Sequence, residues 1–220
     1  MGDFLYRTVR FLTLVPFRTS GRPTVIGADR IPRSGRLLMA PNHVSWYDIP
    51  LLAVHSRRVL DFLATSKLYE GPVGRWFYGQ MNGIRYDQSK PDSQAVRGMR
   101  SRLAHGRCVV IFPEGKLCRP EDSVFTTHGL HPGMARLALA AQAPVLPVVL
   151  VDTDVYRRFR AWMPICGARY GVAFGQPIPP PAHVGMAGRM AEAKRFEEEY
   201  RDHMRALHEE LRQAMRSDGA

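Results

Sequence analysis

Residues 37–55 read Leu-Leu-Met-Ala-Pro-Asn-His-Val-Ser-Trp-Tyr-Asp-Ile-Pro-Leu-Leu-Ala-Val-His, and their order decides the fold class. Leu37 to Ala40 is a continuous apolar run of strand length, stopped by Pro41. A run without polar alternation suits a strand buried on both faces. Ile49 to His55 then reads as a short helix, so a polar loop joins the strand to it. The same grammar recurs along the chain. Pro23–Ile26 and Val59–Ala64 read as strands, Val73–Met81 as an aromatic-rich helix ended by Gly83, and Ser93–Ala104 as a helix. Cys108–Phe112 and Val145–Val151 are apolar strands on either side of an Ala-rich helix, Met134–Ala141. Tyr170–Phe174 alternates and enters a Pro-rich turn, Pro177–Pro181. Continuous apolar strands separated by helices predict one α/β domain with a mixed, mostly parallel sheet flanked by helices.

A chain of 220 residues supports one sizeable core rather than two. Residues 1–20 are expected as an amphipathic helix, 23–178 as the α/β core and 185–217 as a long C-terminal helix. In the last segment apolar residues fall at 190, 196, 200, 204, 207, 211 and 215, a helical period. The charge is strongly basic: 31 Lys and Arg against 20 Asp and Glu give +11 and a pI near 10.1. Such a balance points to an anionic partner. Seven arginines lie between Met1 and Arg36, against Asp3 and Asp29 alone.

On a helical wheel Arg7, Arg10 and Thr13 share one side of the N-terminal segment, and Phe4, Leu5, Val9, Phe11, Leu12 and Val15 the other. Two readings stand: a basic amphipathic helix at an anionic membrane surface, or a helix packing its apolar side on its own domain. Leu137–Val151, the longest uncharged stretch, is shorter than the roughly 20 residues a membrane span needs. The N-terminus lacks the features of a secretory signal. Cysteines 108, 118 and 166 form an odd set without metal-ligand spacing, so no metal is expected. The expectation is a cytoplasmic protein, peripheral on the inner face of the cell membrane. A nucleic-acid partner would explain the charge, but it leaves the polar loop after residue 41 without a role.

That loop carries the first chemistry. His43 follows a strand end, where α/β folds place their sites, and Asp48 comes five residues later. In a continuous helix this spacing splays the side chains apart. With the His in the turn and the Asp opening the helix, they can face each other. The Asp would then fix one imidazole nitrogen and leave the other as a general base. A histidine that merely caps a loop is the alternative. The second feature is Phe112-Pro113-Glu114-Gly115, at the end of an apolar strand and followed by Lys116 and Arg119. A carboxylate there suits contact with a substrate hydroxyl, with an anion held nearby; a plain Pro-Gly turn is the other reading.

Together these residues resemble the PlsC-type glycerolipid acyltransferases. Asn42, His43 and Asp48 match the first of four ordered blocks, preceded by Gly27-Ala28-Asp29-Arg30-Ile31-Pro32. Phe112 to Gly115 match the third, and Val145–Leu150, after Gly133–Arg136, the fourth. The resemblance implies that His43 deprotonates an acceptor hydroxyl, which attacks the thioester of acyl-CoA or acyl-carrier protein directly. Asp48 would orient His43, and no acyl-enzyme, metal or redox cofactor would be needed. Asn42, Glu114 and Gly115 would help bind substrate, and Lys67 matches a basic position common in the family.

Two expected arginines are missing. The second block usually ends in Asp-Arg, and here Asp87 is followed by Gln88. The third usually continues Thr-Arg-Ser, and here it is Lys116-Leu117-Cys118. A neutral amide cannot give the bidentate phosphate grip of Arg. The expected acceptor is 1-acylglycerol-3-phosphate, its phosphate held by Arg85, Lys116 or Arg119; the alternative is an acceptor without that phosphate, another lysolipid, a lipoamino acid or a specialised metabolite. A thioesterase, activating water instead of an alcohol, is a neighbouring possibility.

Overall fold

β2 (Leu37–Pro41) is buried at all five positions, which is why its sequence carries no polar alternation. The computed structural model describes residues 2–19, 21–89, 92–118, 130–154, 168–180, 185 and 188–218. Among them the other strands are β1 (Gly21–Ile26), β3 (Leu60–Thr65), β4 (Gly83–Tyr86), β5 (Cys108–Val110), β6 (Val145–Val151) and β7 (Ala168–Phe174). The helices are α1 (Gly2–Thr19), α2 (Asp48–His55), α3 (Gly71–Gln80), α4 (Ser93–Ala104), α5 (Gly133–Ala141) and α6 (Arg189–Ser217). The strands form one sheet in the order β1-β7-β6-β2-β5-β3-β4. β2 to β6 run parallel, β7 is antiparallel to β6, and β1 is parallel to β7. The mixed, mostly parallel α/β sheet expected from the sequence is what forms.

Alternate strand residues feed two cores. Leu38 and Ala40 pack with α4, α5 and α6, while Leu37 and Met39 pack with α1 and α2 on the opposite face. β6 divides likewise, Val145 and Val149 to one side, Leu146 and Val148 to the other. Each such aliphatic side chain contributes about 1.5–3 kcal/mol on burial. Local signals set the ends. Asp92 Oδ1 accepts Gln94 N and Ala95 N at 2.9 Å each and caps α4. α6 buries Phe196, Tyr200, Met204, Leu207 and Leu211 of the expected stripe, with Met215 partly buried, while Met190 in its first turn faces outward. It lies close on β7, where a Cβ at Gly171 would stand 2.7 Å from Met215 Sδ.

Three expectations are corrected. Gly83 does not only follow a helix; it opens β4, an edge strand paired with β3. Four residues with one buried side chain, Ile84, are too few to show a period. β5 ends at Val110, not at Phe112, because Pro113 and the turn behind it lead the chain off the sheet. Of the two readings of α1, the one that packs the apolar side of the wheel on its own domain is not what forms. Tyr6 (1% exposed) and Phe17 (2%) pack inward, while Phe4 (80%), Phe11 (67%) and Leu12 (64%) face outward. The helix docks through its two large aromatics and through Asp3, which pairs with Arg107 at 3.1 Å. The Arg107 guanidinium holds the Asp3 carboxyl below the usual carboxylate range.

Candidate active site

The carboxyl ends of β2, β3, β4, β5 and β6 point the same way, so the loops leaving them share one edge of the sheet. His43 leaves β2, Lys67 follows β3, Gln88 follows β4, Phe112 to Gly115 follow β5, and Thr153 follows β6. This is the edge where open α/β sheets gather their sites.

His43 and Asp48 meet across the turn that enters α2. His43 Nδ1 lies 2.9 Å from Asp48 Oδ2, with the His side chain 19% exposed and the Asp fully buried. Asp48 is the first residue of α2, where a carboxylate is favoured by the helix N-terminus. Its Oδ2 also accepts Val44 N at 2.8 Å and Ser45 N at 2.9 Å, and its Oδ1 accepts the Thr153 hydroxyl at 3.1 Å. An ionised carboxylate only accepts, so Nδ1 is the protonated ring nitrogen in this arrangement and Nε2 carries the lone pair.

Two contacts fix the ring further. Phe112 stacks on the imidazole with centroids 3.8 Å apart and planes 20° from parallel. Glu114 Oε2 accepts the His43 backbone N–H at 2.7 Å. Cys118 N donates to His43 O at 2.8 Å, so the loop after β5 grips the histidine backbone on both sides. Below the site, Tyr200 of α6 donates to Ala40 O at 2.9 Å. Burial, with the nearby Glu114 charge adding to it, pushes the Tyr200 phenol well above its ordinary value, so it stays a donor.

The other sequence-predicted residues fall differently. Asn42, expected at the substrate, is 1% exposed and spends its amide on Leu150, donating to the carbonyl at 2.9 Å and accepting the N–H at 2.7 Å. It joins β2 to β6 beyond the end of β2. Glu114, expected at the acceptor, is engaged with His43 as described. Gly115 has φ 68°, the left-handed conformation a tight turn assigns to glycine. Lys67, Arg85 and Lys116 are exposed. Arg119 lies outside the described residues. Cys108 sits at the opposite end of the sheet, where burial raises its thiol to about 12. Sequence reasoning missed Thr153, Phe112 and Tyr200. Phe112 belongs to a recognised motif but was given no role of its own, whereas the other two join the site from segments over 100 residues away in sequence.

The arrangement can take a proton at Nε2 and support the resulting imidazolium with a buried carboxylate. It can therefore activate a hydroxyl or a water brought to the sheet edge.

Comparison with known proteins gives the same direction. The sequence profile of the family described as Acyltransferase matches residues 22–151, more than half of the chain. A lyso-ornithine lipid O-acyltransferase of Pseudomonas aeruginosa is 33% identical over 144 residues, which is 64% of this chain and 50% of that protein. The chain thus spans about half the length of that curated relative. The crystal structure of the 1-acyl-sn-glycerophosphate (LPA) acyltransferase, PlsC, from Thermotoga maritima matches with a TM-score of 0.72 at 20% identity, covering 94% of this chain and 80% of that one. At that identity the likeness is one of fold.

Proposed function

Because the chain belongs to the PlsC-type acyltransferase family, we propose that it moves a fatty acyl group from a thioester donor to the hydroxyl of a lysolipid. His43 Nε2 takes the hydroxyl proton as the oxygen attacks the thioester carbonyl. The tetrahedral intermediate expels the thiolate, which takes the proton back from His43, leaving an ester and a free thiol. The balance closes on protons alone, without an acyl-enzyme, a metal or a redox group. The observation that carries this reading is the 2.9 Å contact between His43 Nδ1 and a fully buried Asp48. Asp48 has no role in binding that its burial would permit, so its use is to hold and charge-balance the histidine.

Glu114 and Gly115 act in this reading on the shape of the loop that seats His43, and the donor is acyl-CoA or acyl-carrier protein. The favoured acceptor is a lysolipid without a phosphate headgroup, of the amino-acid-bearing kind named for the Pseudomonas relative. Gln88 and Leu117 in place of arginines support it, since neither can grip a phosphate. A phosphate-bearing acceptor is the second reading, supported by exposed Arg85 and Lys116. We also place the enzyme on the cytoplasmic face of the cell membrane, held by the outward ridge of Phe4, Phe11 and Leu12 beside Arg7. No helix among the described residues is long and apolar enough to cross a membrane.

The test is an acceptor screen with one labelled acyl donor, comparing lyso-ornithine lipid, 1-acylglycerol-3-phosphate and no acceptor. Faster labelling of the lyso-ornithine lipid is the expected result. Preference for the phosphate acceptor would support the second reading. Thiol release at equal rate without any acceptor would sink the transferase and leave a thioesterase. His43→Ala should abolish transfer in the same screen.

A further inference from the structure

We infer that Thr153 is a positioning residue for Asp48, and that the C-terminal helix α6 holds it there; the functional part of the inference rests on the general-base reading above. Three of the four donors to the Asp48 carboxylate come from its own loop: His43 Nδ1, Val44 N and Ser45 N, all on Oδ2. The fourth is the Thr153 hydroxyl on Oδ1 at 3.1 Å, from a segment 105 residues away in sequence. Among the described residues it is the one contact that fixes the second carboxylate oxygen. Three bonds from the loop converge on Oδ2, and none of them reaches Oδ1. The Thr153 bond adds a restraint from outside the loop, on the far oxygen, to the orientation in which Oδ2 meets the imidazole.

The chemistry of the pair leaves no ambiguity of role. The carboxylate accepts, so the hydroxyl donates. Both side chains are wholly buried, so water does not replace the bond if the hydroxyl is lost. Thr153 follows the last residue of β6 by two positions, just beyond residue 151, where the family match ends. The intervening residue is Asp152, whose φ of 58° lies in the left-handed region. Asp tolerates this conformation better than most residues, yet it still costs free energy. Arg212 of α6 ties the Asp152 side chain to that helix. Its Nη1 reaches Asp152 Oδ2 at 3.0 Å and Oδ1 at 3.2 Å. A continuous path thus runs from α6 through Arg212, Asp152 and Thr153 to Asp48 and His43.

The test separates the hydroxyl from the methyl. Thr153→Val keeps the shape and removes the donor, whereas Thr153→Ser keeps the donor and removes a methyl; Thr153→Ala serves if the valine form does not fold. Loss of an outer partner of a fixed group acts on the scale of ~10–100-fold. Thr153→Val should therefore lower kcat by that factor with KM for the donor unchanged. Thr153→Ser should restore kcat. In parallel, the Nδ1–H proton resonance of His43 in 15N-histidine-labelled protein should shift in Thr153→Val and stay in place in Thr153→Ser. Wild-type kcat in Thr153→Val, equal losses in both variants, or an unmoved resonance would overturn the inference. The resonance reads Asp48 geometry whatever His43 does. Retained turnover in His43→Ala would refute the general-base reading by itself.

Discussion

Asp48→Asn removes one charge and almost no volume, and the structure says how the amide would sit. With its oxygen at the Oδ2 position it accepts His43 Nδ1, Val44 N and Ser45 N as the carboxylate does. Its NH2 then takes the Oδ1 position and donates to Thr153, whose hydroxyl turns round to accept. All four contacts survive, so the fold should persist with a thermal transition within a few degrees of wild type. What is lost appears only in the transition state, when His43 becomes an imidazolium with no counter-charge behind it. Two unit charges about 4 Å apart at an effective dielectric near 20 interact by ~4 kcal/mol. That corresponds to about 10³-fold in kcat. Asp48→Ala should behave differently. It leaves three N–H groups and a hydroxyl buried without an acceptor, each costing ~1–3 kcal/mol, and should unfold readily. The assay is thiol release from acyl-CoA with saturating lysolipid, beside a thermal melt of each variant. A natively melting Asp48→Asn protein with kcat within about 5-fold of wild type would refute the electrostatic role of Asp48.

Other outcomes follow from the same contacts. Replacing Phe4, Phe11 and Leu12 together by Ser should weaken sedimentation with anionic vesicles while leaving the thermal transition near wild type, since these side chains face outward; unchanged sedimentation would exclude this ridge as the contact. Tyr200→Phe should cost about 1 kcal/mol of stability through the lost bond to Ala40 O, read by urea denaturation. His208 on α6 has its pKa lowered below the usual 6.5 by burial first and by Arg212 second, with Glu209 and Asp152 opposing. Below that value the unfolded chain takes up the proton first, so His208 contributes no loss at neutral pH and a growing loss as pH falls through and below 6.5. His208→Gln should flatten the fall in unfolding free energy between about pH 7.5 and about pH 5.5; an identical slope would show that other groups set it.

What the sequence made legible follows physical rules. Leu37–Pro41 and Val145–Val151 announced themselves because strands buried on both faces must be apolar throughout. The His43 and Asp48 geometry was readable because the partners are close in sequence and only a turn followed by a helix lets them meet. Asn42 was harder. Nothing in its neighbourhood tells an amide reaching substrate from one completing the end of a strand, and Leu150, which it serves, lies 108 residues on. Thr153 and Tyr200 were invisible for the same reason, since each depends on a partner that only the sheet order brings near. The outward turn of α1 came from Tyr6 and Phe17, whose bulk and depth outweigh the more numerous apolar residues on the other side.

The site therefore divides by how it is held. His43 is fixed by Asp48 at the ring, by Phe112 against its face, and by Glu114 and Cys118 at its backbone. Asp48 opens α2, and the other three lie on the loop after β5, so on the proposed reading a substitution among them disturbs the chemistry for any acceptor. Lys67, Arg85, Gln88 and Lys116 stand exposed towards the same sheet edge, Arg85 on the edge strand β4 and the others in the segments that follow the strands. Exchange there costs little stability and can change which headgroup is bound. An enzyme built this way can keep one way of activating a hydroxyl while its acceptor changes. On the proposed reading, that is how Gln88 and Leu117 would bear on the substrate and leave the reaction class untouched. It also yields a directional expectation: Gln88→Arg should raise kcat/KM for 1-acylglycerol-3-phosphate relative to lyso-ornithine lipid. A gain of about 10-fold would correspond to ~1.4 kcal/mol, within the range of one charge-assisted hydrogen bond. An unchanged ratio in that variant would mean that the headgroup is read elsewhere.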